Sequence, residues 1–438
     1  MKSLILTMIV CICMSTTLMS QKKGEMKDIN YRRSSLHTIL MESDNFPRAE
    51  VVLKSYYSAP FPDKYNDHTI GTKSFDPGIY AITDEERAAA GTEQTKAGKF
   101  AKGAASSATA GIVDSQAADN PLIIEKYLKE NKIANQMVAK WFNRQPDGSF
   151  NMDIISERGY YDASDLEANI ATAAVKGISS LSDAGEELLN NTFVVVSKMN
   201  FVSNEIAAAI VREAAKLAAK EIKNPIAKKA AIISADKSYE KTKEGYSVWT
   251  TSYLYKLIWN DSIAAVFYND LWINKSNIDT KKTEAFDNTN LFKLEYVGDE
   301  KSVSLVMFSL KEKRTEDQIV ELATIRNIDA VYAKLQKKYD VFKTKTPLYT
   351  GNPITAKVGM KEGLEGGEKF EVLEQTVDSK TGLTKYVGKG TITVDEKKIW
   401  DNRYNAGEDP NDGNLEISET TFKGGKKYYS GLLIRQLK

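Results

Sequence analysis

Both cysteines of this 438-residue chain, Cys11 and Cys13, stand inside its first twenty residues. Everything downstream must hold together without a disulfide, a thiolate nucleophile or a cysteine metal site. A chain this long can do that on core packing alone, because the fraction of surface buried on folding rises with size. Its 42% hydrophobic residues are ordinary core material for a globular protein.

The first twenty residues themselves read as a secretory signal peptide. Lys2 supplies a positive start, Leu4 to Met14 an apolar run, and Leu18-Met19-Ser20 a small-residue exit before Gln21. The run is short for a bilayer span, and Gln21-Lys22-Lys23 ends it abruptly, which weighs against an anchor helix. Neither cysteine follows a small residue after the apolar run, so no lipid anchor is expected. These features predict an exported chain, in the periplasm, at the outer membrane or on the cell surface.

Lys and Arg total 60 against 59 Asp and Glu, and loss of Lys2 would leave the two equal. Nucleic-acid binders usually need a clearly basic balance, so no nucleic-acid partner is expected. Disorder is disfavoured by 5 Trp, 21 Tyr and 15 Phe. No later run of 18 or more apolar residues suggests a transmembrane span.

The pattern predicts an α+β protein: a mixed α/β N-terminal and central region, then a small C-terminal all-β barrel or sandwich. Residues 21–83 form an N-terminal segment, with a short helix or strand over Ser34–Met41. Residues 84–120 turn to Ala, Gly, Ser, Thr and Lys and read as a linker or insert. The central α+β domain, 121–345, opens with one helix over Pro121–Phe142. Ser164 with Glu167 caps a further helix, and Ser182–Leu189 fits a short one. Thr192–Met199 reads as a buried strand, and Asn204 is the expected cap of an Ala-rich helix broken at Asn224-Pro225. Tyr246–Ile273, dense in aromatic and β-branched residues, predicts two or three strands. Leu291–Val297 and Ser302–Leu310 predict a hairpin across Gly298-Asp299-Glu300. Thr315 and Gln318 form a capping box ahead of Ile319, Leu322, Ile325, Ile328, Val331 and Leu335, an amphipathic helix. Beyond Pro347, glycine-separated strands at Ile354–Val358, Lys369–Gln375, Lys385–Val394 and Tyr428–Leu433 form the small β domain, 346–438.

Within that domain, Gly-Glu-Lys-Phe-Glu-Val, the Asp-Ser-Lys-Thr-Gly turn and Val-Gly-Lys-Gly-Thr-Ile-Thr-Val, all inside Gly363–Val394, resemble the small β-barrel modules of FlgT-like envelope-assembly proteins. The predicted cleavage before Gln21, with Tyr31-Arg32-Arg33-Ser34-Ser35-Leu36 soon after, is similar to exported envelope proteins of Bacteroidota type. The resemblance implies an envelope location and carries no catalytic residue onto this chain.

Chemistry is sparse. His37 and His68 are the only histidines, and neither stands in a nucleophile or HExxH context. His68, in a Pro-Asp-Lys-Tyr-Asn-Asp-His loop, offers a metal ligand or base, against the alternative of a packing residue. Gly103 to Gly111 lacks the Lys-Ser/Thr ending of a phosphate loop. Asp401, Asp409, Asn411 and Asp412 are candidate calcium ligands, since hard oxygens clustered on a turn suit Ca²⁺. Gly413 falls where an EF-hand needs a ligand, and a solvated Asx-Pro and Asp-Gly turn explains the same residues. Asp165 with Glu167, and Glu186 with Glu187, are carboxylate pairs that helix first turns and surfaces also explain. Trp249, Tyr253, Tyr255, Trp259, Phe267, Tyr268 and Trp272 would stack on sugars if they formed an exposed row.

These features point to an exported, non-enzymatic envelope or surface protein with a binding or assembly role, its partner another envelope or surface protein or a glycan. A hydrolase acting on glycan or peptidoglycan through carboxylates is the alternative, and a host-ligand adhesin the third.

Overall fold

Ser35–Met41 (β1) buries all but one of its seven residues, as a strand covered on both faces must. The computed structural model that shows this describes residues 31–43, 46–90, 119–161, 185–243, 245–307, 315–378, 384–407, 416–425 and 428–437. Helix Ala49–Ser58 (α1), which contains the predicted Val51–Tyr57 segment, crosses over to Asn66–Asp67 (β2). Both β2 and Ser74–Phe75 (β3) run parallel to β1. Asp84–Ala90 (α2) precedes Asn120–Glu130 (α3) and Ile133–Trp141 (α4). The single helix predicted over Pro121–Phe142 is thus two, because Lys132 adopts a left-handed backbone between them. Asp153–Tyr161 (α5) follows, and the predicted Ser164–Glu167 cap lies outside the described residues.

Thr192–Ser203 (β4) pairs in parallel with the whole of β1 through its residues Thr192 to Lys198. The N-terminal segment and the central region therefore share one sheet. Asn204–Lys220 (α6) and Pro225–Thr242 (α7) form a helical hairpin leading to Gly245–Leu257 (β5), antiparallel to β4. Only this first strand of the predicted set over 246–273 exists. Asn260 caps Asp261–Val266 (α8), and its aromatic continuation Phe267–Leu271 is a π-helical turn. The aromatics there pack as core rather than as strand: Trp259, Phe267 and Leu271 are buried with Phe142, Phe150 and Phe286. After Thr280–Asn288 (α9), Leu294–Met307 (β6) pairs with β5 throughout. The predicted turn at Gly298 is a bulge inside this one strand, since the register shifts there and pairing resumes.

The sheet order is β2-β1-β4-β5-β6, with β3 also on β1. Glu316–Lys338 (α10) lies on one face with α1, burying Ile319, Leu322, Val331 and Leu335 against Leu36, Phe193, Val195 and Leu254. Helices α3 and α4 cover the other face through Ile124, Tyr127 and Met137 against Ile39, Val194 and Val196. Alternation along β1 and β4 decides which residues face which layer.

The C-terminal region closes an antiparallel six-stranded barrel, one of the two small β forms expected. Its strands are Thr346–Gly351 (β7), Ile354–Ala356 (β8), Lys369–Val377 (β9), Thr384–Val394 (β10), Thr420–Lys423 (β11) and Leu433–Gln436 (β12). Strands β7 and β11 carry no distinct sequence signal. The last strand begins at Leu433, where the predicted Tyr428–Leu433 ended. Leu348, Val372, Ile392, Phe422 and Ile434 fill the interior. Among the described residues, no helix is long and apolar enough to cross a membrane.

Candidate functional site

Where the sheet region meets the barrel, a cleft of about 310 Å³ is lined by Arg33, Lys64, Lys343, Lys345 and Arg435 around a single carboxylate, Asp340. Five parts of the chain converge to make it, Lys64 coming from the loop between α1 and β2. Arg33 and Ser34 lead into β1, and Asn191 leads into β4. Residues 340–345 bridge α10 to β7, and Arg435 comes from barrel strand β12.

The acids that balance these cations stand mostly behind the lining. Glu187 is 3.7 Å from Arg33 and 3.8 Å from Lys345. Arg435 pairs with Glu371 at 2.5 Å, and Lys64 with Asp63 at 3.2 Å. Lys343 bonds the lining acid Asp340 at 2.7 Å. The Lys345 ammonium lies 4.0 Å from the Tyr386 ring centroid. Burial pushes its pKa down, and Glu187 opposes that shift. Tyr386 donates to Glu187 at 2.7 Å and shares a 2.5 Å hydrogen bond with Tyr31. Burial, followed by the Glu187 charge, holds the Tyr31 hydroxyl well above the usual phenol range, so it stays protonated. Each of the five cations thus has an acid partner, four acids in all, which leaves the lining one positive charge in excess, with neutral phenol and amide donors beside it. It suits a carboxylate or another compact anion.

No motif marks any of the five cations as a ligand residue, although Arg33 stands in the Tyr31–Leu36 run and Lys64 in the loop before His68. They come from positions 33 to 435, and sequence separation hides their convergence. The nearest signal is Lys343-Thr344-Lys345, two cations alternating just past the amphipathic helix. Glu187, explained from sequence as a helix-surface acid, instead anchors the tyrosine pair and two of the cations.

The sequence candidates lie elsewhere. His68 is completely buried and stacks on Trp141 with centroids 4.8 Å apart. Its Nε2 donates to the Met137 carbonyl at 3.0 Å, and its Nδ1 accepts from Arg158 at 3.0 Å. Burial, then the Arg158 charge, pushes its pKa far down. With both nitrogens engaged and no exposed edge, His68 is a packing residue rather than a base or ligand. Burial likewise lowers His37 to about 3. Asp401 is buried and grips Arg403 through both oxygens, at 2.8 and 2.6 Å. The other calcium candidates, Asp409, Asn411 and Asp412, lie outside the described residues. Among the described residues, no group of three or more His, Cys, Asp or Glu is placed to hold a metal ion. The aromatic set does not form an exposed row: Tyr253, Tyr255, Trp259 and Phe267 are buried and Trp272 half-buried, leaving Trp249 and Tyr268 exposed. Asp165 of the first carboxylate pair is likewise outside the described residues.

No protein-family model matches this chain, and no curated protein matches it either.

Proposed function

We propose that this is an exported, non-enzymatic cell-envelope or surface protein whose binding or assembly role runs through the basic cleft. The ligand is a carboxylate-bearing group, from an envelope glycan or from an acidic segment of a partner protein. One observation carries the reading: five cations from distant parts of the chain line a space of about 310 Å³ that holds one lining carboxylate. Such a volume is at the lower end of small-ligand sites. Two-carboxylate hydrolysis finds little support there, because the lining acid Asp340 is already held by Lys343.

Calorimetric titration with uronic-acid oligosaccharides and with a poly-glutamate peptide separates the two sources. Binding should weaken steeply with added salt. Lys64→Met and Lys343→Met keep the side-chain stems and remove the charges, and each should weaken binding about tenfold. Equal affinity in the variants would reject the cleft as the site. Cleavage of the oligosaccharide by the purified protein would reject the non-enzymatic role. Fractionation of cells tests the envelope location, and an intact chain in the cytosol would overturn it.

A further inference from the structure

The α6–α7 hairpin stands apart from both cores. From Val211 to Lys243 only Ala219 and Ala235 are buried. The two helices hold each other through Lys216–Asp236 at 2.7 Å and the Arg212 guanidinium 4.2 Å from the Tyr239 ring centroid. Small alanines let their backbones approach, α6 packs on β4 and β5, and the main contact of α7 is with α6. A helix of this length reaches about 25 Å.

The far end of this arm is both apolar and basic. Ile226 is 82% exposed and Leu217 60%, and Ile222 between them is exposed as well. Besides Lys216, which Asp236 pairs at 2.7 Å, residues 216–229 place Lys220, Lys223, Lys228 and Lys229 against one acid, Glu221. The Asn224 side chain caps α7 by accepting from the Ile226 and Ala227 amides, which fixes the turn so that these groups share one end. The whole chain carries 60 basic residues against 59 acidic ones, so this concentration is local.

We propose that the hairpin tip docks on an anionic phospholipid surface, with Leu217, Ile222 and Ile226 entering the headgroup boundary and the lysines meeting lipid phosphates. Side chains this exposed, carried on a lysine-rich arm, match the composition of interfacial helices. Charge decides the occupant: two copies of the same tip would bring eight such lysines together, whereas an anionic bilayer attracts each of them.

Flotation of the full chain tests this with vesicles of phosphatidylcholine alone, and of phosphatidylcholine with about one part in three phosphatidylglycerol. The wild type should float with the anionic vesicles far better than with the neutral ones, and added salt should release it. Replacing Lys220, Lys223 and Lys229 by Glu should weaken binding to the anionic vesicles about a hundredfold. Leu217→Ser with Ile222→Ser and Ile226→Ser should weaken it about tenfold or more. All these positions are exposed, so unchanged melting curves will show that both variants fold. Any leader contribution is common to all three proteins and cancels in the comparison. Equal flotation of wild type and variants overturns the proposal, as does equal binding to both vesicle types. Lipid-free self-association that the serine variant abolishes, without vesicle binding, assigns the tip to a second copy and also overturns it.

Discussion

Asp329 shows how one residue can tune the molecule's pH response. It lies on α10 facing barrel residue Lys361 at 3.8 Å. Burial raises its pKa from 3.8 to about 7, with Lys361 opposing and Glu362 and Asp63 adding to the rise. The ionised form is thus disfavoured in the folded state. Stability contributed by Asp329 falls as pH climbs from the unfolded carboxylate range, and the loss is complete above pH about 7. Asp329→Asn should remove this slope. Urea unfolding should show the variant gaining about 2 kcal/mol on the wild type between pH about 5 and about 8. A constant difference across that range would refute the assignment. Gly298 is constrained by space as well as by backbone: its φ is +154°, and the Tyr339 hydroxyl and ring edge occupy the place a Cβ would take. Gly298→Ala should cost about 2 kcal/mol or more in a thermal melt, since neither the bulge nor Tyr339, bonded to the Asp299 carbonyl, can move freely.

Among the elements, α10 depends most visibly on its end. Thr315 accepts from the Gln318 amide at 3.3 Å while the Gln318 side chain accepts from the Thr315 amide at 2.9 Å. Thr315→Ala should lower stability by about 1 kcal/mol in denaturant unfolding, and Thr315→Ser should restore most of it. No recovery in the serine variant would point to methyl packing instead of the cap. The capping box and the three-and-four spacing made this helix legible from its residues. The segment after β5 was not, because aromatic density favours strands on average and fits a buried helical turn equally well. There the decisive residue is Asn260, whose side chain accepts from the Ile263 amide.

For the whole molecule, the joint between sheet region and barrel is the feature that creates the cleft. Helix α10 serves both sides, burying one face in the sheet core while Lys337 donates to the Gly363 carbonyl at 2.6 Å and Arg326 to the Tyr404 carbonyl at 3.1 Å. Across the joint, Tyr386 of β10 ties Glu187 and Tyr31 together. Tyr386→Phe removes both hydroxyl contacts and leaves the ring in place. Calorimetry should show a loss of about 1–2 kcal/mol, with the unfolding of barrel and sheet region becoming less coupled. An unchanged transition would mean that the helix contacts alone hold the joint.

Local information sufficed for the α+β class, the capped long helix, the Asn224-Pro225 break and the glycine-separated strands β8, β9 and β10, but not for β7, β11 or the choice of a barrel over a sandwich. Each rests on spacing or on a side chain bonding its own neighbours, and such interactions need no distant partner. The union of β1 with β4, the continuity of β6 through Gly298, the burial of His68 and the gathering of Arg33, Lys64, Lys343, Lys345 and Arg435 were decided only in three dimensions. All of these depend on contacts between residues far apart in the chain, where neither periodicity nor composition records which side chains will meet.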